Sequence, residues 1–562
     1  PHGTSGFRHY GANRHCIKDG MNIDPACGSG NFLTETYLSL RRMENEILKE
    51  RIGTQIVLGD IANPINVSIE QFYGIEINDF AVRVAKAALW IAEAQMLQET
   101  EEIVHQSIEF FPLKSYANIV EDNALRLEWN DVLSREKCNF VMGNPPFVGA
   151  RLMSEAQKSD VMSIFAGWKN IGNLDYVSCW YKKATDYMQK TAIRAALVST
   201  NSITQGDSVA ILWKPLFDAG LHIDFAHQTF TWDSESNPKA HVHCVIVGFS
   251  FAKNGKPKII FSGENRIEED NINAYLCGAE NVFVGNRNRP LCDVPEIGIG
   301  NKPIDDGNYL FTKEEMEDFI KKEPTSAKYF KPWYGSWEFI NGQPRYCLWL
   351  GDCPPNELRK MPHCLKRVEA VRAFRKASKS EVTRKIADKP TRFHVENMPK
   401  VSYLLIPRVS SERRKYIPMG FVNPADLASD SVHIITNATL YHFGVLTSNV
   451  HMAWMRYVAG RLKSDYRYSK GIVYNNFPWP TPTEAQKAAI EKAAQGILDA
   501  RAKFPDASLA DLYDETAMTP ELRRAHQMND HAVMRAYGFV PGKMSEGECV
   551  AALMGMYKRL TT

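Results

Sequence analysis

The sequence lacks several features that would each define a class of protein. Its 11 cysteines include no CxxC pair and follow no regular spacing, which excludes a disulfide-stapled scaffold and favours a reducing compartment. No apolar run is long enough to span a membrane, and no signal peptide is recognisable. Cys347, Cys353, His363 and Cys364 lie close together in sequence, but their spacing fits no common zinc site. The length of 562 residues predicts a globular protein of about two to four domains. The cysteine and histidine spacing predicts no metal site.

The sequence also lacks an overall excess of charge, since its formal net charge is +2. The charge is nevertheless distributed unevenly. Residues 360–415 contain 16 Lys or Arg and 5 Asp or Glu, a local net charge of +11, so the rest of the chain carries −9. A basic segment on an otherwise acidic chain indicates a surface that faces a polyanion, although a solvated helix face would show the same composition.

Asn144-Pro145-Pro146-Phe147 is the stretch with the clearest chemistry. Residues 139–142 are predicted to form a buried strand, and Gly143 opens a tight turn at its end. The Asn144 side-chain oxygen and the Pro145 carbonyl can accept both hydrogens of an exocyclic amine and aim its lone pair at an electrophile. Phe147 offers a face on which a flipped base can stack. The alternative interpretation is a strand that ends in a Pro-Pro turn.

A glycine-rich segment, Asp24-Pro25-Ala26-Cys27-Gly28-Ser29-Gly30-Asn31-Phe32, lies upstream between a predicted strand and a predicted helix. Together with the later NPPF motif, and in this order, it resembles the amino-group DNA methyltransferases of the gamma arrangement. The resemblance implies S-adenosylmethionine as cofactor. It places the cofactor against these residues: Asp24, Ala26, Cys27, Gly28, Gly30, Phe32, Glu76, Ile77, Asn123 and Asn144. The further cofactor-side motif expected upstream is not found in residues 1–20, which puts cofactor affinity in doubt.

Seven strands with intervening helices are predicted to form a doubly wound sheet, the Rossmann-like fold of class I S-adenosylmethionine-dependent methyltransferases. Glu76 ends the second strand, where a carboxylate can accept hydrogen bonds from ribose hydroxyls. Asn123 follows the third strand, with Asp122 as the alternative, and an Asx turn would explain Asn123 equally well. Phe230 and Trp232 are predicted on the loop between the last two strands, where an aromatic ring, Trp232 first, can clamp a flipped base. An aromatic side chain packed within the loop explains them equally well. Residues 262–282 are predicted to be a polar connector.

Longer motifs occur in the second half of the chain: Ser410-Ser411-Glu412-Arg413-Arg414, His442-Phe443-Gly444-Val445-Leu446-Thr447-Ser448, Gly460-Arg461-Leu462-Lys463-Ser464 and Tyr474-Asn475-Asn476-Phe477-Pro478-Trp479-Pro480. They resemble the MmeI-like restriction–modification proteins, in which one polypeptide joins a nuclease, a helical spacer, an adenine methyltransferase and a target recognition domain. The resemblance implies a methyltransferase domain at 1–261, a mixed α+β target recognition domain at 262–480 and a small helical region at 481–562. It implies double-stranded DNA as partner. The basic segment itself places phosphate-contact candidates on a predicted helix and beside a predicted strand: Arg367, Arg372, Arg375, Arg408, Arg413, Arg414 and Lys415.

The resemblance implies a site-specific adenine-N6 DNA methyltransferase with Asn144, Pro145, Pro146 and Phe147 at its catalytic centre, in the cytoplasm of a prokaryote near the nucleoid. The sequence contains no convincing Asp…Glu-x-Lys nuclease cluster, so we expect the chain to modify DNA without cutting it. The nuclease would then be a domain or subunit outside this chain, which begins at Pro1 without Met. Two alternatives remain: cytosine-N4 methylation, and a non-catalytic DNA-binding remnant with an impaired cofactor site.

Overall fold

The computed structural model describes residues 20–54, 65–105, 108, 118–233, 241–253, 255–462 and 464–562. Residues 1–19, in which a further cofactor motif was sought, lie outside the described residues. The chain divides into two compact units, residues 1–283 and 284–562. No helix in the described ranges has the length and apolar character needed to span a membrane.

The first unit alternates strands and helices. Its strands are β1 (Met21–Asp24), β2 (Phe72–Glu76), β3 (Asn118–Glu121), β4 (Cys138–Gly143), β5 (Arg194–Thr200), β6 (His222–Asp233), β7 (His241–Ser250), β8 (Lys258–Ser262) and β9 (Asn265–Glu269). Its helices are α1 (Asn31–Thr54), α2 (Asp79–Val104), α3 (Trp129–Val132), α4 (Glu155–Ile164), α5 (Ser178–Met188) and α6 (Asp207–Asp218).

These nine described strands form one sheet in the order β3-β2-β1-β4-β5-β7-β6-β8-β9. Strands β1 to β5 are mutually parallel, and β7 is inserted antiparallel between β5 and β6. This confirms the predicted α/β fold. The sheet nevertheless continues past the seventh strand, because β8 pairs with β6 and β9 pairs with β8. The prediction of a polar connector from residue 262 was therefore wrong where β9 forms.

The strand order reverses between β1 and β4, which creates a crevice at their carboxyl ends. Helix α1 covers one side of this region by packing Tyr37 edge-on against Phe72 of β2. Helix α2 begins at the N-cap Asn78, whose side chain accepts a hydrogen bond from the Ala81 N–H, and it buries Val82 and Leu89 in the same core. The apolar faces of both helices thus fix the strand ends that surround the crevice.

The second unit contains short strands and many helices. Its strands are β10 (Ile297–Ile299), β11 (Leu310–Phe311), β12 (Phe330–Tyr334), β13 (Arg345–Leu348), β14 (Tyr403–Pro407), β15 (Val409–Ser410), β16 (Gly420–Val422), β17 (Leu427–Ala428), β18 (Val432–Thr436), β19 (Arg461–Leu462) and β20 (Asp465–Arg467). Its helices are α7 (Lys313–Lys322), α8 (Ser336–Asn341), α9 (Pro355–Leu358), α10 (Pro362–Lys376), α11 (Glu381–Lys385), α12 (Leu440–Leu446), α13 (Asn449–Val458), α14 (Glu484–Ala502), α15 (Leu509–Leu512), α16 (Pro520–Ala536) and α17 (Glu546–Thr561).

The last helices of this unit pack against its sheet-containing part through buried polar contacts. On α16, the Asp530 carboxylate accepts hydrogen bonds from the Tyr416 hydroxyl at 2.6 Å and from the Asn449 N–H at 2.8 Å. The neighbouring Asn529 donates its side-chain amide to the Gly444 carbonyl at 2.8 Å. On α14, Arg501 donates to the Met419 carbonyl at 2.6 Å. The C-terminal helices are therefore part of the core of this unit.

Candidate active site at the carboxyl edge of the sheet

The ends of β1 and β4 approach each other so closely that one position requires glycine. Gly143 has φ +155°, and a Cβ atom there would overlap the Asp24 carboxylate. This close approach places Asp24 beside the peptide that leads into Asn144. The glycine-rich segment and the NPPF motif, 120 positions apart in the sequence, therefore share one site.

Asn144 presents the chemistry expected of the NPPF motif. Its side-chain oxygen Oδ1 is buried and has no hydrogen-bond partner among the described residues. Pro145 is buried, Pro146 is exposed and Phe147 is half-buried. Because a buried acceptor without a donor is costly in a folded protein, the Asn144 oxygen is suited to receive a donor from a ligand.

The Asp24 carboxylate is also buried and only partly satisfied. Its Oδ1 accepts a hydrogen bond from the Ala26 N–H at 2.9 Å, whereas Oδ2 has no partner among the described residues. Burial raises the pKa of Asp24 to about 7; the bond from Ala26 opposes this rise, and the Glu76 carboxylate adds to it. Such a carboxyl is suited to a cationic partner, which would favour its ionised form.

Glu76 organises the loop after β1. One carboxylate oxygen accepts the Gly28 N–H at 2.9 Å and the other accepts the Asn78 N–H at 2.9 Å. Gly30, with φ +83°, allows the loop to approach α2, because a Cβ atom there would lie 2.9 Å from the Ala85 Cβ. A carboxylate oxygen has two lone pairs, so Glu76 can hold this loop and still accept hydroxyl donors.

The other cofactor candidates differ in exposure. Ala26, Gly28 and Phe32 are partly exposed at the loop, while Cys27 is buried against Gly74. Burial raises the pKa of the Cys27 thiol well above its ordinary value, so this side chain packs as a small apolar group. Ile77 is 69% exposed, and the neighbouring Phe80, which the sequence analysis did not select, is 75% exposed.

The structure separates the two candidates that follow β3. The Asn123 side-chain oxygen Oδ1 accepts the Leu125 N–H at 2.9 Å, which is an Asx turn, and its side-chain amide donates to Asp160 at 3.3 Å. Asp122 is exposed, and its carboxylate accepts the Asn123 N–H at 2.7 Å. Asn123 is thus used in local structure, and Asp122 is the better placed of the two to accept a hydrogen bond from a ligand.

A clamp around Asp175 fixes the chain after NPPF. Asp175 accepts hydrogen bonds from the Ala150 N–H at 2.8 Å and from the Ser202 hydroxyl. The Tyr176 N–H donates to the Val148 carbonyl at 2.9 Å, and its hydroxyl donates to Asp160 at 2.8 Å. The sequence analysis missed Ser202 and Asp160, since neither belongs to a local motif.

Phe230 and Trp232 were wrongly predicted on a loop. Both lie within β6, where Phe230 pairs with Cys244 and Trp232 pairs with Val242 of β7. The strand continues this far because a register shift between His227 and Phe230 keeps the two strands paired. If either residue contacts a flipped base, it does so from a paired strand and not from a loop.

The candidate DNA-contacting residues of the second unit fall into different environments. Arg413 and Lys415 are exposed, Arg414 is half-buried, and Arg408 donates to the Asp430 carbonyl at 2.7 Å. Arg367 lies over the Phe311 ring, 4.9 Å from its centroid, and Arg372 is 3.5 Å from the Glu369 carboxylate. Exposed Arg413 and Lys415 remain the simplest candidates for phosphate contacts.

Arg375 was predicted to contact DNA, and the structure contradicts this. Its side chain is 0% exposed. Its guanidinium donates five hydrogen bonds of 2.8–3.1 Å to backbone carbonyls, those of Pro303, Ile304, Ile386, Lys389 and Arg392. No N–H group is left for a phosphate, so Arg375 holds neighbouring loops together.

Comparison with known proteins matches three consecutive parts of the chain. Residues 12–262 match the family described as MmeI, DNA-methyltransferase domain; residues 278–481 match MmeI, target recognition domain; residues 482–562 match MmeI, C-terminal domain. DNA methyltransferase A of Bacillus subtilis (strain 168) is 41% identical over 542 residues, which are 96% of this chain and 61% of that protein. The chain thus spans about three fifths of that curated relative.

A solved structure extends this similarity to three dimensions. The type IIL restriction-modification enzyme MmeI, determined in complex with DNA, superposes with a TM-score of 0.86 at 44% sequence identity. The match covers 99% of this chain and 75% of that chain. The chain therefore belongs to the MmeI family and carries its DNA-methyltransferase, target recognition and C-terminal domains.

Proposed function

We propose that the chain transfers a methyl group from S-adenosylmethionine to the N6 amine of an adenine flipped out of double-stranded DNA. The observation that carries the proposal is the buried Asn144 oxygen without a hydrogen-bond partner among the described residues, at the edge of the sheet beside Asp24. We further propose that residues 262–480 choose the DNA site. Any nuclease activity of the system would then belong to a domain or subunit outside this chain.

Asn144 and Pro145 supply the positioning that the amine requires. The amine lone pair is delocalised into the purine ring, so the amine is a weak nucleophile. Hydrogen bonds from its two N–H groups to Asn144 Oδ1 and the Pro145 carbonyl would favour a tetrahedral nitrogen with a localised lone pair. Phe147 would stack on the base and hold its plane. Held in this way, the amine nitrogen would be aligned with the methyl carbon that the cofactor supplies, and the extra proton of the methylated amine would pass to solvent.

The residues around the β1 loop fit the cofactor. The buried Asp24 oxygen suits its amino group, and Glu76 suits its ribose hydroxyls. Exposed Ile77 and Phe80 suit the faces of its adenine ring, and Asp122 suits the ring amine. When bound, S-adenosylmethionine supplies an electrophilic methyl carbon on a sulfonium, so this site need only align the amine and exclude water.

The related proteins favour DNA as the substrate. One relative is called a DNA methyltransferase, and the other was solved with DNA bound. The basic segment at 360–415, with its exposed Arg413 and Lys415, suits a phosphate backbone. Adenine is favoured over the N4 amine of cytosine by the resemblance and by Phe147, since an aromatic ring stacks well on a purine.

The proposal is tested by incubating the chain with methyl-radiolabelled S-adenosylmethionine and mixed-sequence duplex DNA, then identifying the labelled nucleoside. We expect label in N6-methyladenine. Label in N4-methylcytosine would instead identify cytosine as the target base. If no label appears, titration with cofactor distinguishes a chain whose recognition site is missing from the DNA, which still binds cofactor, from a chain whose cofactor site is impaired. A chain that binds DNA with a steep salt dependence but binds no cofactor is a non-catalytic remnant.

Asp24 makes cofactor binding sensitive to pH. Its pKa of about 7 means that the carboxyl is largely neutral below pH 7 and must lose a proton to pair with the cofactor amino group. We expect affinity to fall by roughly tenfold for each pH unit below 7 and to level off above it. The stability of the ligand-free protein changes in the opposite direction and falls as pH rises from about 4 to 7. In this range Asp24 ionises in the unfolded chain but is held neutral by burial in the folded chain.

Calorimetric titration between pH 5 and 7.5 measures this effect. Asp24→Asn should bind weakly and without this pH dependence, whereas Asp131→Asn, at an exposed position of α3, should follow the wild type. An unchanged pH profile in Asp24→Asn would remove Asp24 from cofactor binding.

A further inference from the structure

Residues 149–152 form a turn soon after the NPPF motif that presents an apolar side chain to solvent. Leu152 is 82% exposed, the highest exposed fraction among the large hydrophobic side chains of the described residues. The next position, Met153, is 7% exposed. Arg151 is also exposed, and its guanidinium forms no ion pair with a carboxylate in the described part of the chain. The turn therefore presents one large apolar group and one unpaired cation side by side.

The turn is held firmly, so its exposure does not reflect a loose segment. The Leu152 N–H donates to the Gly149 carbonyl at 2.8 Å. Asp175 accepts the Ala150 N–H, and Tyr176 donates its N–H to the Val148 carbonyl. On the other side, buried Met153 leads into Ser154, which caps α4 by accepting the Gln157 N–H. Both flanks of Leu152 are thereby fixed to the framework that supports the catalytic motif.

The position of this turn suits contact with the DNA beside the target base. Leu152 follows Phe147 by five residues, so the two Cα atoms can be at most about 18 Å apart. A flipped base leaves a gap in the stack, and the loss of stacking opposes flipping. Apolar side chains, leucine among them, insert between base steps in several DNA-bending proteins. An exposed leucine on a rigid turn has the required size and chemistry.

We propose that Leu152 enters the duplex at the position vacated by the target adenine and that Arg151 pairs with an adjacent phosphate. This inference rests on the proposed methylation of a flipped adenine and adds a positioning residue to it. Leu152 would act by stabilising the extrahelical state of the base without touching the amine. Its contribution should therefore matter only where the adenine begins inside a paired, stacked duplex.

The test compares Leu152→Ala with the wild type on two duplexes that contain the mapped site. In one the target adenine is paired with thymine, and in the other it faces an abasic position. We expect kcat/KM to fall about tenfold or more on the paired duplex and less than about threefold on the abasic duplex. 2-Aminopurine at the target position should fluoresce less with Leu152→Ala than with the wild type.

Two variants control for nonspecific effects of surface change. Met162→Ala removes an apolar side chain that is 68% exposed on α4, and it should leave both rates unchanged. Leu152→Met, which keeps the apolar volume, should retain most of the activity on paired DNA. Equal loss on both duplexes, or no loss on either, would overturn the role of Leu152. A wild type that methylates neither duplex would instead refute the proposed function on which it rests.

Discussion

Replacing Asn144 with alanine is expected to slow methyl transfer by about 10²–10³-fold while leaving cofactor and DNA binding intact. The substitution removes an acceptor that is buried and has no other hydrogen-bond partner in the described structure. Loss of one preorganised polar group that acts in the transition state typically lowers the rate by about 10²–10³-fold. Because the Asn144 oxygen supports no other described element, its removal should not disturb the fold.

Single-turnover rates, measured with saturating cofactor and DNA, test this expectation. Asn130→Ala, which removes an exposed asparagine from α3, is the matched control and should retain the wild-type rate. Asn144→Asp should also be slow, since a carboxylate keeps the acceptor but adds charge in a buried position. Full activity of Asn144→Ala would exclude this residue from the mechanism.

Replacing Arg375 with alanine is expected to destabilise the second unit severely. The change removes one donor from each of five backbone carbonyls and creates a cavity where the side chain was. The Ile386 and Lys389 carbonyls keep a backbone N–H donor, whereas those of Pro303, Ile304 and Arg392 lose the donor that the structure describes. Each unsatisfied buried acceptor costs about 1–3 kcal/mol, although relaxation and water entry reduce the sum. We expect a loss of about 4 kcal/mol or more, or a fall in Tm of roughly 10 °C.

Arg413→Ala separates this structural effect from an effect on DNA contact. Arg413 is exposed, so its removal should leave the Tm within about 1 °C and should reduce the salt dependence of DNA binding by about one counterion. Thermal unfolding and salt titrations of both variants measure the contrast. A stable Arg375→Ala variant with weakened DNA binding would instead support the prediction from sequence that Arg375 contacts DNA.

Local sequence was sufficient to predict the elements that surround the candidate site. The strand that ends at Gly143, the glycine-rich loop at 28–30 and the helix that follows it each depend on residues close together in the chain. Their meeting at one edge follows from parallel strand order. The proximity of Asp24 to Gly143 therefore agrees with what the two motifs predicted.

Two features were predicted wrongly for different physical reasons. Arg375 resembles its basic neighbours in sequence, but carbonyls near residue 304, about 70 positions away, and near residue 389 enclose it. The strand β9 is polar and largely exposed, which is typical of a sheet edge and also of a loop. The carbonyls near residue 304 lie too far along the chain for a local pattern to indicate them, whereas β9 pairs with the adjacent β8 and was missed because its own residues are polar.

The buried contacts of the C-terminal helices bear on how new DNA specificities could arise in this family. Exchange of residues 284–481 alone would separate Tyr416 from Asp530 and Gly444 from Asn529. A donor segment would then have to match a foreign set of buried polar partners, or leave them unsatisfied. Recombination that keeps residues 284–562 together would preserve these buried pairs.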